Sequence, residues 1–509
     1  MAAAETAGVE PLPVGTGRTF TERLRDPGSF VTSLAIRAHY DGERTTAEAM
    51  RMRLATCADA GLVQGFFISD RIPGDGDFAA ETIAGWVLEH GGEPVVSLSL
   101  AVQNRVEALG RVRAWREMGV SNLLVVTGDY PVAGTRDRDL FDVDSLQALM
   151  LMRAAADRRD GFPADLNKGC VVTPFKRLEA ELMWQYARLR RKVDAGADFI
   201  VSQAGYDPRA WDELIRFCRL ERLERPVIGS VLVPGVELAS RIGAGKVPGV
   251  SIPPRLLERL ASPKAEAGLR LAGAAVAVFR GLGYRGVLLG GRPLSPDEVE
   301  LILEEAERLA PRWQECLEEF REPLPRFCYF RKDENTGLNE DRLAEVPGRT
   351  WPRPMYGFSY AIDHVLFGPV EPVFRALTGI CRFCDSRRFW RRLLLWLEWL
   401  SKAPLYRCGM CGDCTLYACV FYCSESGCPK RMVNGPCGGS RDGCCELPYA
   451  GTCLWVKAYD RLKSRVERPG FTAPPVMPKD RRLEGTSSWT NFCLGRDHRR
   501  PPGTRAHPR

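Results

Sequence analysis

Eight short apolar runs punctuate the first 310 residues: FVTSLAI (30–36), VQGFFIS (63–69), PVVSLSL (94–100), NLLVVTG (122–128), GCVVTP (169–174), ADFIVSQ (197–203), PVIGSVL (226–232) and RGVLLGG (285–291). Most are rich in β-branched residues and continuous rather than strictly alternating, which predicts strands buried on both faces and hence a parallel sheet. Between them stand segments with apolar residues three and four apart, such as VEALGRVRAWREMG (106–119) and EAELMWQYARLRRKVDAG (179–196), the latter closed by Gly196. Eight such units predict a (β/α)8 TIM barrel, with a doubly wound open sheet as the alternative.

In a barrel, the fourth run delivers Gly128 and Asp129 to the C-terminal face, where barrel active sites are built. The same face receives VVTPFK (171–176) after the fifth run, and Ser202, Gln203 and Asp207 after the sixth. Asp207 precedes Pro208 and reads equally as a helix cap.

The rhythm breaks after residue 310. Residues 311–375 are rich in Pro, Gly and charge and read as a linker packing on the barrel. FWRRLLLWLEWL (389–400) reads as an amphipathic helix, too short to cross a bilayer and interrupted by Arg391, Arg392 and Glu398. Packing against another domain is expected of it, and attachment to a membrane surface is the other reading. The division is then a flexible N-terminus (1–24), the barrel (25–310), the linker (311–375), a cysteine-rich metal-binding domain (376–465) and a basic, Pro-rich tail (466–509).

A chain of 509 residues exceeds one ordinary core, and 45% hydrophobic with 27% charged residues is a soluble globular composition. The net charge of +7 comes partly from the tail GRDHRRPPGTRAHPR, so no nucleic-acid partner is expected. The first residues lack the basic and apolar regions of a secretory signal, which predicts a cytoplasmic protein with reduced thiols.

Cysteine then changes the picture. Of 18 cysteines, five are scattered singly from Cys57 to Cys328, and thirteen lie between Cys381 and Cys493. Ten cluster as Cys408, Cys411, Cys414, Cys419, Cys423, Cys428, Cys437, Cys444, Cys445 and Cys453. Two-residue gaps let neighbouring thiolates reach one metal ion or one cluster edge. C-x2-C-x2-C at 408–414 and the Cys428-Pro429 pair favour an iron–sulfur cluster, with zinc as the alternative. Only five histidines are present, so a zinc site would be nearly all cysteine.

GVSNLLVVTGDYP, RRKVDAGADFIVSQAGYD and the eight-unit rhythm resemble methylenetetrahydrofolate reductase. CGDC, CPK, NGPCGG and CLWVKAYDRLK resemble the C-terminal domain fused to a subset of those reductases. The resemblance implies a flavin, FAD or FMN, at the barrel's C-terminal face with a folate stacked on it, and reduction of 5,10-methylenetetrahydrofolate to 5-methyltetrahydrofolate. Electrons would come from NAD(P)H or a protein donor, and a homo-oligomer is compatible with the family. By the same resemblance Asp129 tunes the flavin and binds the pterin, Gln203 hydrogen-bonds the pterin, and Lys192 meets the flavin phosphate. Asn104, Arg105, Ser97 and Thr127 would belong to the flavin pocket, although Asn104 reads equally as a helix cap and Arg105 as a solvent-facing arginine; at Ser97 and Thr127 the family often carries histidine and arginine.

The family also carries a first-strand glutamate that protonates a folate nitrogen, and this chain has Ala35 there. Asp41 or Glu43 could substitute only if the following loop folds back. Two other readings therefore stand beside the reductase: a folate-binding methyltransferase component that lost the reductive acid, and a non-catalytic metal-binding interaction protein.

Overall fold

The structure, a computed structural model, describes residues 18–498 except 38, 41–42, 45, 71–77, 131–140, 159–160, 246, 248–249, 251, 261–264, 321–325, 347, 349–353, 369–370 and 465–473. Asp41 and the Glu43 side chain lie outside the described residues.

The eight apolar runs form eight parallel strands: β1 (Val31–Ile36), β2 (Gly65–Ile68), β3 (Pro94–Ser99), β4 (Asn122–Val126), β5 (Asn167–Val172), β6 (Phe199–Ser202), β7 (Val227–Val233) and β8 (Gly286–Gly291). They close into a barrel in sequential order, β8 pairing with β1 from Val31↔Gly286 to Leu34↔Leu289. The open-sheet alternative is thereby excluded. The two segments with helical spacing form the helices Arg105–Glu117 and Glu179–Asp194, and the second ends as expected at Gly196, whose φ is +106°.

Alternation along each strand separates two cores. Leu34, Phe66, Val96, Leu123, Val125 and Ile200 pack outward against the helices. Val31, Phe67, Val95, Leu124, Phe199, Val201 and Ile228 fill the lumen. Extending that parity puts Ala35, Ser97, Ser99, Gly128, Thr173, Gln203 and Gly290 on the lumen side toward the strands' C-terminal ends.

The opposite end is plugged. Residues 20–24, expected within a flexible N-terminus, belong to the helix Phe20–Arg25, held by a Thr19/Glu22 capping box. Phe20 meets Phe67 and Phe199 edge-on at 6.2 and 6.0 Å. A Cβ on Gly65 would come within 2.8 Å of the Phe20 ring, so this strand position needs glycine.

The linker packs on the barrel through buried charge. Arg326 donates to Asp207 at 2.6 Å and to Glu213 at 3.3 Å, and Asn339 donates to Asp212. Burial opposes the Arg326 charge, but Asp207 and Glu213 overcome it and raise its pKa. Asp207 also caps the helix Pro208–Leu220, so the cap reading is the one the structure supports.

The cysteine-rich segment docks on the helix Glu179–Asp194. Trp184 packs edge-on against Trp455 at 5.4 Å and donates its indole N–H to the Trp455 carbonyl at 2.6 Å. Part of the expected tail belongs to this unit: Asn434 exchanges two hydrogen bonds with the Val476 backbone, and Ser488–Cys493 is a buried helix. Side-chain partners rather than periodicity hold residues 474–498 in place, which is why their composition reads as tail.

Candidate functional site

The lumen-side residues at the strand ends form a ring of small or polar groups. Gly128 is obligatory in it: its φ is +87°, and a Cβ would stand 2.4 Å from Ser99 Oγ. The turn sends Asp129 outward, where it is exposed beside the mouth. Gln203 follows β6, with its backbone N–H bonded to the Val172 carbonyl at 2.7 Å and its Oε1 accepting from the Ala204 N–H at 3.1 Å. Asp129 and Gln203 thus stand at strand ends of one face.

The structure gives the other expected residues local partners. Ser97 lies in the lumen wall opposite Leu124. Thr127 accepts from the Ser145 backbone N–H and lies 3.2 Å from Ser145 Oγ, supporting the start of the following helix. Asn104 caps the helix Arg105–Glu117 by accepting from the N–H groups of Val106 and Glu107. Arg105 makes a two-pronged pair with Asp142 at 2.8 and 2.9 Å. Lys192 is buried near the end of its helix and donates to the Val171 carbonyl at 2.7 Å. Burial, then Arg188, depresses its pKa to about 8.

Ala35 brings no carboxylate to the end of β1. Asp70, just after neighbouring β2, is buried and its pKa is raised by desolvation. Its oxygens face Arg111 at 2.9 and 3.0 Å and the Ser99 N–H at 3.2 Å, so it braces the strand end rather than replacing the missing acid.

Ten cysteines separate by position. Cys428, Cys437, Cys445 and Cys453 line one cavity together with Lys430 and Glu446. Cys408, Cys411, Cys414 and Cys423 form a second neighbourhood in which the thiol charges act on one another. Cys419 is fully buried in the apolar core, and burial raises its pKa to about 12; Cys444 is exposed. Cys419 still feels the charges of Cys423 and Lys479, so of the ten it is Cys444 that stands outside both neighbourhoods. Among the described residues, no three Cys, His, Asp or Glu side chains converge tightly enough to hold one metal ion.

Buried lysines accompany both neighbourhoods, and the cysteine pattern alone does not point to them. Lys402 Nζ lies 3.9 Å from Cys414 Sγ, and Lys479 Nζ 3.6 Å from Cys411 Sγ. Lys430 Nζ pairs with Glu446 at 2.5 Å and donates to the Gly128 carbonyl at 2.8 Å. Burial opposes the Lys430 charge, but Cys437 and Glu446 hold its pKa above the ordinary lysine value. Lys176 Nζ donates to the carbonyls of Gly438 and Ser440. The motifs VVTPFK and CPK contain two of these lysines, but only the fold brings Lys176 to the Ser440 carbonyl, beside the cavity that Lys430 lines.

The same junction holds unsatisfied polar atoms. Glu181 Oε2 and Gln185 Nε2 are buried without a hydrogen-bond partner, next to the cysteine-rich loop that Lys176 anchors. The Lys430–Gly128 hydrogen bond makes the strand end at Gly128 and the four-cysteine cavity neighbours.

Residues 79–279 match the family model "Methylenetetrahydrofolate reductase", and residues 393–481 match "Methylene-tetrahydrofolate reductase C terminal". A Caenorhabditis elegans protein called "Probable methylenetetrahydrofolate reductase (NADPH)" is 25% identical over 189 residues, 36% of this chain and 26% of its own length. The chain thus spans about a quarter of that relative. A Clostridium thermocellum protein described as binding two copies of 5-methyl-5,6,7,8-tetrahydrofolic acid aligns with 56% of this chain and 96% of its own, at 14% identity and a TM-score of 0.38. Residues 79–279 of this chain belong to the methylenetetrahydrofolate reductase family, and residues 393–481 to the C-terminal domain of that family.

Proposed function

We propose that this chain is a flavin-dependent oxidoreductase that reduces 5,10-methylenetetrahydrofolate to 5-methyltetrahydrofolate. The observation that carries the reading is the Lys430–Gly128 hydrogen bond, which fastens the four-cysteine cavity to the strand end bearing Asp129. A flavin supplies hydride transfer when bound, and an iron–sulfur centre supplies one-electron delivery.

The chain's own residues fit these groups in distinct ways. The ring of Ala35, Ser99, Gly128, Thr173 and Gly290 is low enough in bulk to let a planar ring lie across the mouth. Asp129 presents a carboxylate to the amide and amine edge of a pterin, and Gln203 offers both a donor and an acceptor. Four thiols around a cavity, without a tight three-ligand group, suit a polynuclear cluster better than one zinc ion. Buried Lys176 and Lys430 offset the negative charge that thiolates and sulfide bring.

One observation favours a second reading. With Ala35 at the end of β1, no acid on that strand protonates the folate nitrogen, as expected of a folate-binding methyltransferase component. The test is anaerobic purification followed by an absorption spectrum, assays of flavin, iron and zinc, and measurement of 5-methyltetrahydrofolate formed with reduced donor. Flavin, iron and product together support the reductase. Folate binding with neither flavin nor product after flavin is supplied overturns it in favour of methyl transfer.

A further inference from the structure

The helix Arg388–Tyr406 is oriented with its polar side inward. Glu398 and Lys402, four apart, form a buried pair at 2.7 Å, and the hydroxyls of Ser487 and Ser488 hold the Glu398 carboxylate. That network fixes which side of the helix meets the cysteine domain. The opposite stripe, at the three- and four-residue spacing of one helical face, carries Phe389, Trp396 and Leu400, which are 70%, 53% and 48% exposed. An ordinary surface helix shows the reverse arrangement.

The stripe continues across the turn into the preceding helix, Glu371–Ser386. Exposed Phe383 meets exposed Trp390 at 6.0 Å, and Arg387 lies over the Phe383 ring at 4.8 Å. Arg387, Arg388, Arg391 and Arg392 are all exposed around this turn. The patch therefore combines Trp and Phe rings with a collar of guanidinium groups at one end.

We infer that this helical hairpin docks on a membrane surface bearing anionic phospholipid headgroups. The apolar side chains stand on the outer sides of two helices rather than around a cleft, which suits insertion at the boundary between headgroups and acyl chains. Arginine pairs with phosphate through two parallel hydrogen bonds, and tryptophan is favoured at that boundary. Among the described residues no helix is long and apolar enough to cross a membrane, so the docking is peripheral.

The test sediments the full chain with vesicles of phosphatidylcholine alone or with phosphatidylglycerol added, reading tryptophan emission in parallel. Binding is expected only with phosphatidylglycerol, with a blue shift in emission and loss at high salt. The double variant Arg391→Glu/Arg392→Glu is expected to weaken binding roughly tenfold or more. The double variant Trp396→Ser/Leu400→Ser removes the blue shift, while thermal unfolding of both variants matches the parent. A chain that ignores anionic vesicles, binds both vesicle types equally, or hides these tryptophans in a dimer overturns the inference.

Discussion

Lys430 Nζ stands 2.8 Å from the Gly128 carbonyl oxygen and 2.5 Å from Glu446 Oε1, joining the cysteine-rich domain to the residue that precedes Asp129. One ammonium thus bridges the barrel's C-terminal face and the wall of the four-cysteine cavity.

Lys430→Met strands the Glu446 carboxylate and is expected to cost about 3–5 kcal/mol of stability, as when one partner of a buried ion pair is removed. Lys430→Met/Glu446→Gln recovers part of that loss. In cluster-loaded protein, losing the cation lowers the reduction potential by on the order of 100 mV, because the extra electron loses a favourable charge contact. Thermal unfolding and an EPR-monitored redox titration check the two effects separately, and an unchanged potential would remove Lys430 from the cluster's surroundings.

Asp129→Asn is expected to slow folate reduction at least roughly tenfold while leaving stability within about 0.5 kcal/mol, since the side chain is exposed. Steady-state rates and urea midpoints decide. A variant that reduces folate normally would show that the carboxylate is outside the site.

The two kinds of cysteine separate by metal content. Cys437→Ser removes a cavity-lining thiol and is expected to lower iron or zinc in the anaerobically purified protein. Cys444→Ser removes an exposed thiol outside both neighbourhoods and is expected to leave metal content unchanged. Equal loss in both would break the partition.

Ala35→Glu restores a carboxylate to the lumen side of β1. If protonation of the folate nitrogen limits the reaction, the variant gains roughly tenfold or more in rate, and that gain falls away as pH rises through the pKa of the added carboxyl. A flat response means that the proton arrives by another route.

Lys192 makes stability depend on pH. Its folded pKa, about 8, lies below its ordinary 10.5. Between those values the unfolded chain holds the proton and the folded chain does not, so stability rises with pH. Below pH 8 both states are protonated and the cost of burying the ammonium is fully present. The span corresponds to about 3 kcal/mol. Urea unfolding at pH 7.5 and 10 should show the rise in the parent and its loss in Lys192→Met.

Legibility was uneven, for physical reasons. Continuous apolar runs such as NLLVVTG are local signals, because a strand covered by helices must be apolar on both faces. Gly128 and Asp129 were legible for the same reason, standing directly after a buried strand. The cap at Asn104 was legible too, since it acts on the next turn, but the roles of Arg105 and Thr127 were not, because they depend on Asp142 and Ser145, 37 and 18 residues away. The helix at 389–400 was visible as amphipathic, but which face turns inward was decided by Ser487 and Ser488.

The sequence by itself determined the eight-strand barrel, the glycine turn before Asp129 and the presence of a thiol-rich domain, since each follows from residue spacing and backbone sterics. Only the tertiary structure decided which thiols share a cavity, that buried Lys176 and Lys430 tie it to the barrel mouth, and that Trp396 and Leu400 face outward. Those relations join groups hundreds of residues apart in the chain, and their energies arise from burial and charge that exist only once the chain is packed.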